Sequence, residues 1–293
     1  IRLINDQLIT DIGNCDKKQS ISLLAKWIPR EKSKYGWLFK RLALSYYSEY
    51  FNENDVCASI SSPAVRKAFT KYRQICSRLN KELDTVQIKQ CGNVWKTINF
   101  NNVTSVTLAK QKNAFLNVKN KDRTICANNF KSFINEKIRE GKEVNGKCIG
   151  LDYFTKQGII LLNEIKNNWS TDTQMQINML NSQWRSSSYD DSSLTNFIPM
   201  VDMSFSMDGL PKDIAIALGI RIAEQSTLGK RIMSFCENPA WINLDLCKPD
   251  FTSMLDKVLK GNWGGSTNFY MALDLILNAS IESNLSYENI QNM

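Results

Sequence analysis

The sequence predicts a two-part chain: an α-helical domain over residues 1–190, then an α/β domain over residues 191–293, doubly wound on a mainly parallel sheet. The hydrophobic rhythm is the first reason. Before about residue 190, apolar side chains recur at steps of three and four; after it they come in short continuous runs that alternate with helical segments. Charge is the second. Residues 1–190 carry 30 Lys/Arg against 17 Asp/Glu, and residues 191–293 carry 7 against 12. The third is the break itself: WRSSSYDDSS, residues 184–193, is polar, serine-rich and aperiodic, and reads as a linker. At 293 residues and 43% hydrophobic, the chain is long enough to bury a core in each part.

The helical elements follow in order. In KWIPREKSKYGWLFKRLAL, residues 26–44, a turn marked by Pro29 precedes a helix from about Gly36. Lys26, Arg30, Lys32 and Lys34 crowd that turn, with Trp27, Tyr35 and Trp37 interleaved, a composition that engages phosphates and stacks exposed bases. The alternative is that the tryptophans anchor a core. In AVRKAFTKYRQICSRLNKEL, residues 64–83, Val65, Phe69, Tyr72, Cys76, Leu79 and Leu83 fall on one helix face. Lys67, Lys71, Arg78 and Lys81 fall roughly opposite, as a polyanion-binding stripe or a solvated outer face. Further helices are expected around 82–91, 107–116, 127–140, 153–167 and 173–185. No clean repeat period appears, so a HEAT-like helical-repeat arrangement stays an open reading.

The second part opens with FIPMV at 197–201, a strand in which Pro199 cannot donate a ladder bond, so the strand begins after it or bulges there. IAIALGIRIAEQ at 214–225 is a helix apolar nearly all round, which fits burial on both sides. RIMSFC and AWINL read as strands, and FTSMLDKVLK and FYMALDLIL as helices.

Several classes of chemistry are excluded. The chain has no histidine, so Ser-His and Cys-His nucleophile pairs and His-ligated metals are absent. Its eight cysteines include no C-x-x-C pair and read as mostly buried, reduced thiols of an intracellular protein. No apolar run reaches the roughly 18 residues of a membrane span. No signal peptide is visible, although a chain that starts at Ile1 reads as an internal fragment. No catalytic residue is assigned, and the chain is expected not to be an enzyme.

The remaining motif is VDMSFSM, residues 201–207, in which Asp202, Ser204 and Ser206 alternate directly after a strand. In an open α/β sheet, ligands sit at the carboxyl ends of the strands. One carboxylate and two hydroxyls there make a partial shell of hard oxygens for a divalent cation such as Mg2+; a plain turn is the competing reading. GNWGGSTNFYMAL, residues 261–273, presents Thr267 just before a helix. It lacks the lysine of a P-loop.

Together these two segments resemble the metal-ion-dependent adhesion site of von Willebrand A domains. That resemblance implies that Asp202, Ser204, Ser206 and Thr267 are metal ligands, directly or through water, for a divalent cation, expected to be Mg2+. The family's further aspartate, after a later strand, is not reached before Met293, so a partial A domain with an incomplete site is expected. A basic helical half joined to an A domain also resembles the Ro RNA-binding protein, with its TROVE module. The closer likeness is to an uncharacterised domain family of giant viruses and cellular organisms. It is carried by KWIPREKSKYGWLFKRLA, YRQICSRLNKELDTVQIKQCGNVWKTINFNNVTSVTLAK, VDMSFSM, GKRIMSFCENPAW and WGGSTNFYMALDLIL.

The function expected is non-catalytic binding of structured or misfolded RNA through Arg30, Lys32, Lys34, Lys67, Lys71, Arg78 and Lys81, with the metal recruiting a partner. The alternative is a protein-interaction module in which an acidic residue of the partner completes the metal shell. A cytoplasmic location is expected, in the host for a viral member, and no membrane partner.

Overall fold

The computed structural model describes residues 1–51, 62–187, 194–261 and 264–282. The chain divides by packing into two compact units, Ile1–Ile98 and Asn99–Met293.

The first unit is helical. It comprises α1 (Arg2–Asp16), α2 (Leu24–Trp27), α3 (Gly36–Tyr46), α4 (Pro63–Glu82) and α5 (Val86–Cys91). Helix α4 is the one the 64–83 periodicity predicts, and Pro63 sits at its start, where a missing N–H costs nothing. Its predicted apolar face is the buried one: Val65, Phe69, Tyr72 and Leu79 pack with Leu8, Phe39 and Leu42. Phe39 meets Phe69 and Tyr72 edge-on, with ring centroids 6.0 and 5.5 Å apart. The polar groups in this core are paired. Tyr72 Oη donates to Asn5 Oδ1 at 3.1 Å, and Asn5 Nδ2 donates to the Leu42 carbonyl at 3.1 Å, which ties α1, α3 and α4 together.

Asp11 fixes the exit from α1 by accepting from the Ser22 amide and the Ser22 hydroxyl. Burial would raise this carboxyl, but the hydrogen bonds from Ser22 and Gln7 hold it below its usual value.

The second unit begins with α6 (Ser105–Phe115) and α7 (Lys121–Arg139), packed around Phe100, Phe115 and Phe130. Then come α8 (Leu151–Asn167), α9 (Thr171–Ser186), β1 (Met200–Asp202), α10 (Leu210–Gln225), β2 (Arg231–Phe235), β3 (Trp241–Asn243), α11 (Phe251–Leu259) and α12 (Phe269–Glu282). Side-chain caps open α7, α9 and α11: Asn120, Ser170 and Asp250 each accept from the amide three residues on. Strand β1 starts immediately after Pro199, whose carbonyl accepts from the Met233 amide, so the proline is left outside the ladder without losing a bond.

The sheet has the order β1-β2-β3. β1 and β2 are parallel, joined through α10, but β3 runs antiparallel to β2, so the sheet is mixed. The five residues 236–240 between β2 and β3 are too few for a crossover and allow only a hairpin return. One face, with Val201, Ile232 and Ile242, packs on α10. The approach is close at Gly219, where an added Cβ would lie 2.5 Å from Val201 Cγ2. The other face carries Met200, Met233 and Trp241, which with Ile276 of α12 border a cavity of about 270 Å³. Helix α10 is not buried all round as its composition predicts, because Leu210, Ile214 and Leu218 are exposed.

One hydrophobic core joins α8, α9, the sheet, α10 and α11, from Phe154 through Trp184 to Val258. The compositional break near residue 190 therefore does not separate cores. Residues 184–186 of the expected linker are the last turn of α9, and Trp184 is 1% exposed; residues 188–193 lie outside the described ones. Trp184 takes the first residues of the segment into the core, since one tryptophan outweighs its polar neighbours in buried area.

Candidate functional site

The D-x-S-x-S segment leaves the carboxyl end of β1. Asp202 Oδ1 accepts from the Ser204 amide at 2.8 Å, a two-residue turn that fixes the carboxylate. Ser204 is buried, and its Oγ lies 2.9 Å from Ser206 Oγ. A single 3-10 turn, Phe205–Met207, then leads to Gly209 and α10. Three of the four expected ligands thus share one short loop.

The fourth, Thr267, is exposed and lies on the glycine loop before α12. That loop is held beside the first. A Cβ at Gly265 would stand 3.0 Å from the Phe205 ring, between Ser204 and Ser206 in sequence. On its other side Gly264 abuts Glu237, and the Asn268 amide donates to the Cys236 carbonyl at 3.1 Å. Asp202 is also the register partner of Phe235, so the ends of β1 and β2 and the glycine loop converge. Glu237 belongs to no motif in the sequence; its position two residues past the parallel strand β2 brings it to the glycine loop. Among the described residues no group of three or more Asp, Glu or Cys side chains forms a metal cluster. The donor set is instead one carboxylate and hydroxyls, with Glu237 near the loop, and hard oxygens of this kind fit a hydrated Mg2+.

The basic residues lie in the first unit. Arg30, Lys32, Lys34, Lys67, Lys71, Arg78 and Lys81 are all exposed. The Glu31–Arg73 ion pair ties the 30–36 turn to the flank of α4. Trp27 (73% exposed), Tyr35 (54%) and Trp37 (58%) are surface side chains rather than core anchors. Lys26 lies over the Trp27 ring and Lys34 over the Tyr35 ring, each at 5.7 Å, and Lys67 lies 4.7 Å from the Tyr50 ring. Arg78 is paired with Asp16 on the surface, so part of its charge is matched by a neighbouring carboxylate.

Residues 1–188 match the family model of a domain of unknown function, DUF2828. The chain belongs to the DUF2828 family. Residues 196–292 match a second domain of unknown function, DUF7788. Uncharacterized protein L728 of Acanthamoeba polyphaga mimivirus is 28% identical over 305 residues, covering 97% of this chain and 48% of that protein. The chain thus spans about half the length of the curated relative it matches. No solved structure matches it.

In this DUF2828 member the two matched segments meet within one core, because α8 and α9 belong to the first and α10 and α11 to the second. No disulfide joins the described cysteines, but only Cys126 and Cys236 are buried. Cys91 and Cys148 are exposed, contrary to the mostly buried set expected, and Cys57 lies outside the described residues. No helix of the described residues is long and apolar enough to cross a membrane.

Proposed function

We propose that the chain is a non-catalytic RNA-binding protein whose basic first unit contacts the RNA. One observation carries this reading: three exposed aromatic rings, Trp27, Tyr35 and Trp37, share the 26–37 segment with Lys26, Arg30, Lys32 and Lys34, and Lys26 and Lys34 lie over the Trp27 and Tyr35 rings. A solvated coat needs no exposed tryptophan, whereas RNA binding uses both parts. Cations neutralise phosphates, and rings stack on unpaired bases at about 1–3 kcal/mol each. Residues 1–98 carry 17 Lys/Arg against 9 Asp/Glu, in keeping with a polyanion partner. The resemblance of the module order to the Ro protein supports the same reading, as an analogy of architecture.

The test is RNA binding by the full chain at two salt concentrations. Trp27→Ala with Trp37→Ala is expected to weaken binding about tenfold or more while leaving the salt slope in place. Lys32→Glu with Lys34→Glu is expected to flatten the slope. Binding indifferent to both pairs overturns the reading.

The convergence of the Asp202 loop and the glycine loop favours a second role in the same molecule, metal-dependent recruitment of an acidic partner. Asp202, Ser204, Ser206 and Thr267 would hold the ion, which when bound supplies an open coordination position for a carboxylate. Mg2+ is expected to raise the melting temperature of the full chain, and Asp202→Ala to abolish the rise. An equal rise in the variant overturns the assignment.

A further inference from the structure

Helices α8, α9 and α11 and the loop before α11 line an open cleft of about 610 Å³, within the usual size range of small-molecule sites, about 300–1,000 Å³. Its residues differ from those of both sites above. Leu162, Ile165 and Ile177 give it an apolar wall. On α9, Gln174 Nε2 donates to Asn178 Oδ1 at 3.1 Å, which leaves the Gln174 Oε1 acceptor and the Asn178 Nδ2 donor side by side. Nucleobase edges carry a complementary adjacent donor and acceptor.

Apart from Asn181, Cys247, Thr252 and Ser253, the rest of the lining is charged, with lysines in excess. Lys166, Lys248, Lys257 and Lys260 face only two acids, Asp250 and Asp256. Both acids are engaged: Asp250 caps α11 through the Ser253 amide, and Asp256 pairs with Lys166 at 3.4 Å and with Lys260. The ammonium groups of Lys248 and Lys257 are in no hydrogen bond or ion pair with a described residue. Residues 191–293 hold only 7 basic side chains against 12 acidic ones, and three of the seven stand at this cleft. A general solvated coat would spread them. Concentrated in a concavity, they focus a positive potential on whatever enters.

We propose that this cleft binds a nucleotide. Its phosphates meet Lys248 and Lys257, its base lies on the apolar wall, and the amide pair Gln174 and Asn178 reads the base edge. The test is calorimetric titration of the full chain in EDTA with ATP, GTP, CTP, UTP and pyrophosphate. At least one nucleotide is expected to bind more tightly than pyrophosphate. Lys248→Glu with Lys257→Glu is expected to weaken it about tenfold or more, equivalent to about 1.4 kcal/mol. Because both lysines are exposed, unchanged circular dichroism separates this loss from misfolding. Gln174→Leu with Asn178→Leu is expected to weaken the nucleotide and leave pyrophosphate unchanged. Asp202→Ala and the Lys32/Lys34 reversal are expected to change nothing, which separates this site from the other two. Failure of all four nucleotides to bind overturns the proposal. So does pyrophosphate binding as tightly as the best nucleotide, or a loss that follows Lys32 and Lys34 instead.

Discussion

Replacing Trp184 by alanine tests whether the segment that reads as a linker is part of the core. The indole is 1% exposed. Its ring lies 4.3 Å from that of Phe251 and 5.1 Å from that of Phe154, and the Arg221 guanidinium stacks on it at 3.6 Å. Its Nε1 donates to Glu224 at 2.8 Å. Truncating such a side chain costs about 3–5 kcal/mol. The half-buried Glu224 carboxylate, which desolvation already pushes upward in pKa, also loses a donor. A loss of about 4 kcal/mol corresponds to a fall of about 8–16 °C in melting temperature for a unit of this size. It is a large part of the roughly 5–15 kcal/mol that holds a domain folded. Scanning calorimetry of the full chain reads the shift, with Trp169→Ala (63% exposed) as the control expected to stay within about 0.5 kcal/mol. If Trp184→Ala melts within about 2 °C of the parent, α9 does not end in the core and the single-core description of the second unit fails.

Asp11 makes stability depend on pH in a stated direction. Its folded pKa is lowered, so its contribution is complete above the unfolded value of about 3.9 and is lost as pH falls through the folded value. Asp11→Asn is therefore expected to lower stability at neutral pH and to flatten its decline below about pH 4. Parallel urea-unfolding curves from pH 7 to 3 for both proteins would contradict this. Gly219→Ala places a methyl group 2.5 Å from Val201 Cγ2, and overpacking of this kind costs about 1–3 kcal/mol; a neutral or stabilising result in the same unfolding assay excludes the close α10–sheet contact.

Much of the chain was legible in its sequence where periodicity is long. Helix α4 was predicted within one residue at each end because its apolar stripe runs for twenty positions with a proline at the start. The short elements were harder. AWINL is a strand as expected, but its direction is set by the length of the preceding turn, a geometric fact that residue types do not announce. The aromatic residues of the 26–37 turn could be assigned by composition either to a core or to a surface. Only the fold, in which Phe39 and Leu42 fill the core instead, leaves Trp27 and Trp37 exposed. The oxygen-rich loop was readable in Asp202, Ser204 and Ser206 because they alternate within five residues. Glu237 was not, because it reaches the same loops from another strand. The cleft between α8, α9 and α11 had no sequence signal at all, since its lysines come from segments about eighty residues apart.

Net charge per segment is a coarse guide to a polyanion surface, because it counts cations that the fold has already neutralised. In the first unit Arg73 is bound to Glu31 and Arg78 to Asp16, whereas Lys71 and Lys81 are in no ion pair with a described residue. A guanidinium held by a carboxylate releases no counterion when RNA arrives, since it must first give up its partner. The two kinds of cation are therefore separable by salt dependence. Lys71→Ala is expected to lower the slope of log affinity against log salt by about 0.7, the share of one phosphate contact on a single strand. Arg78→Ala combined with Asp16→Ala removes a pair without changing the number of available cations, and is expected to leave the slope where it was. If the double variant loses as much slope as Lys71→Ala, the Arg78–Asp16 pair opens on binding. Arg78 then belongs to the interface, and the stripe along α4 acts as the four-residue set that its spacing first indicated.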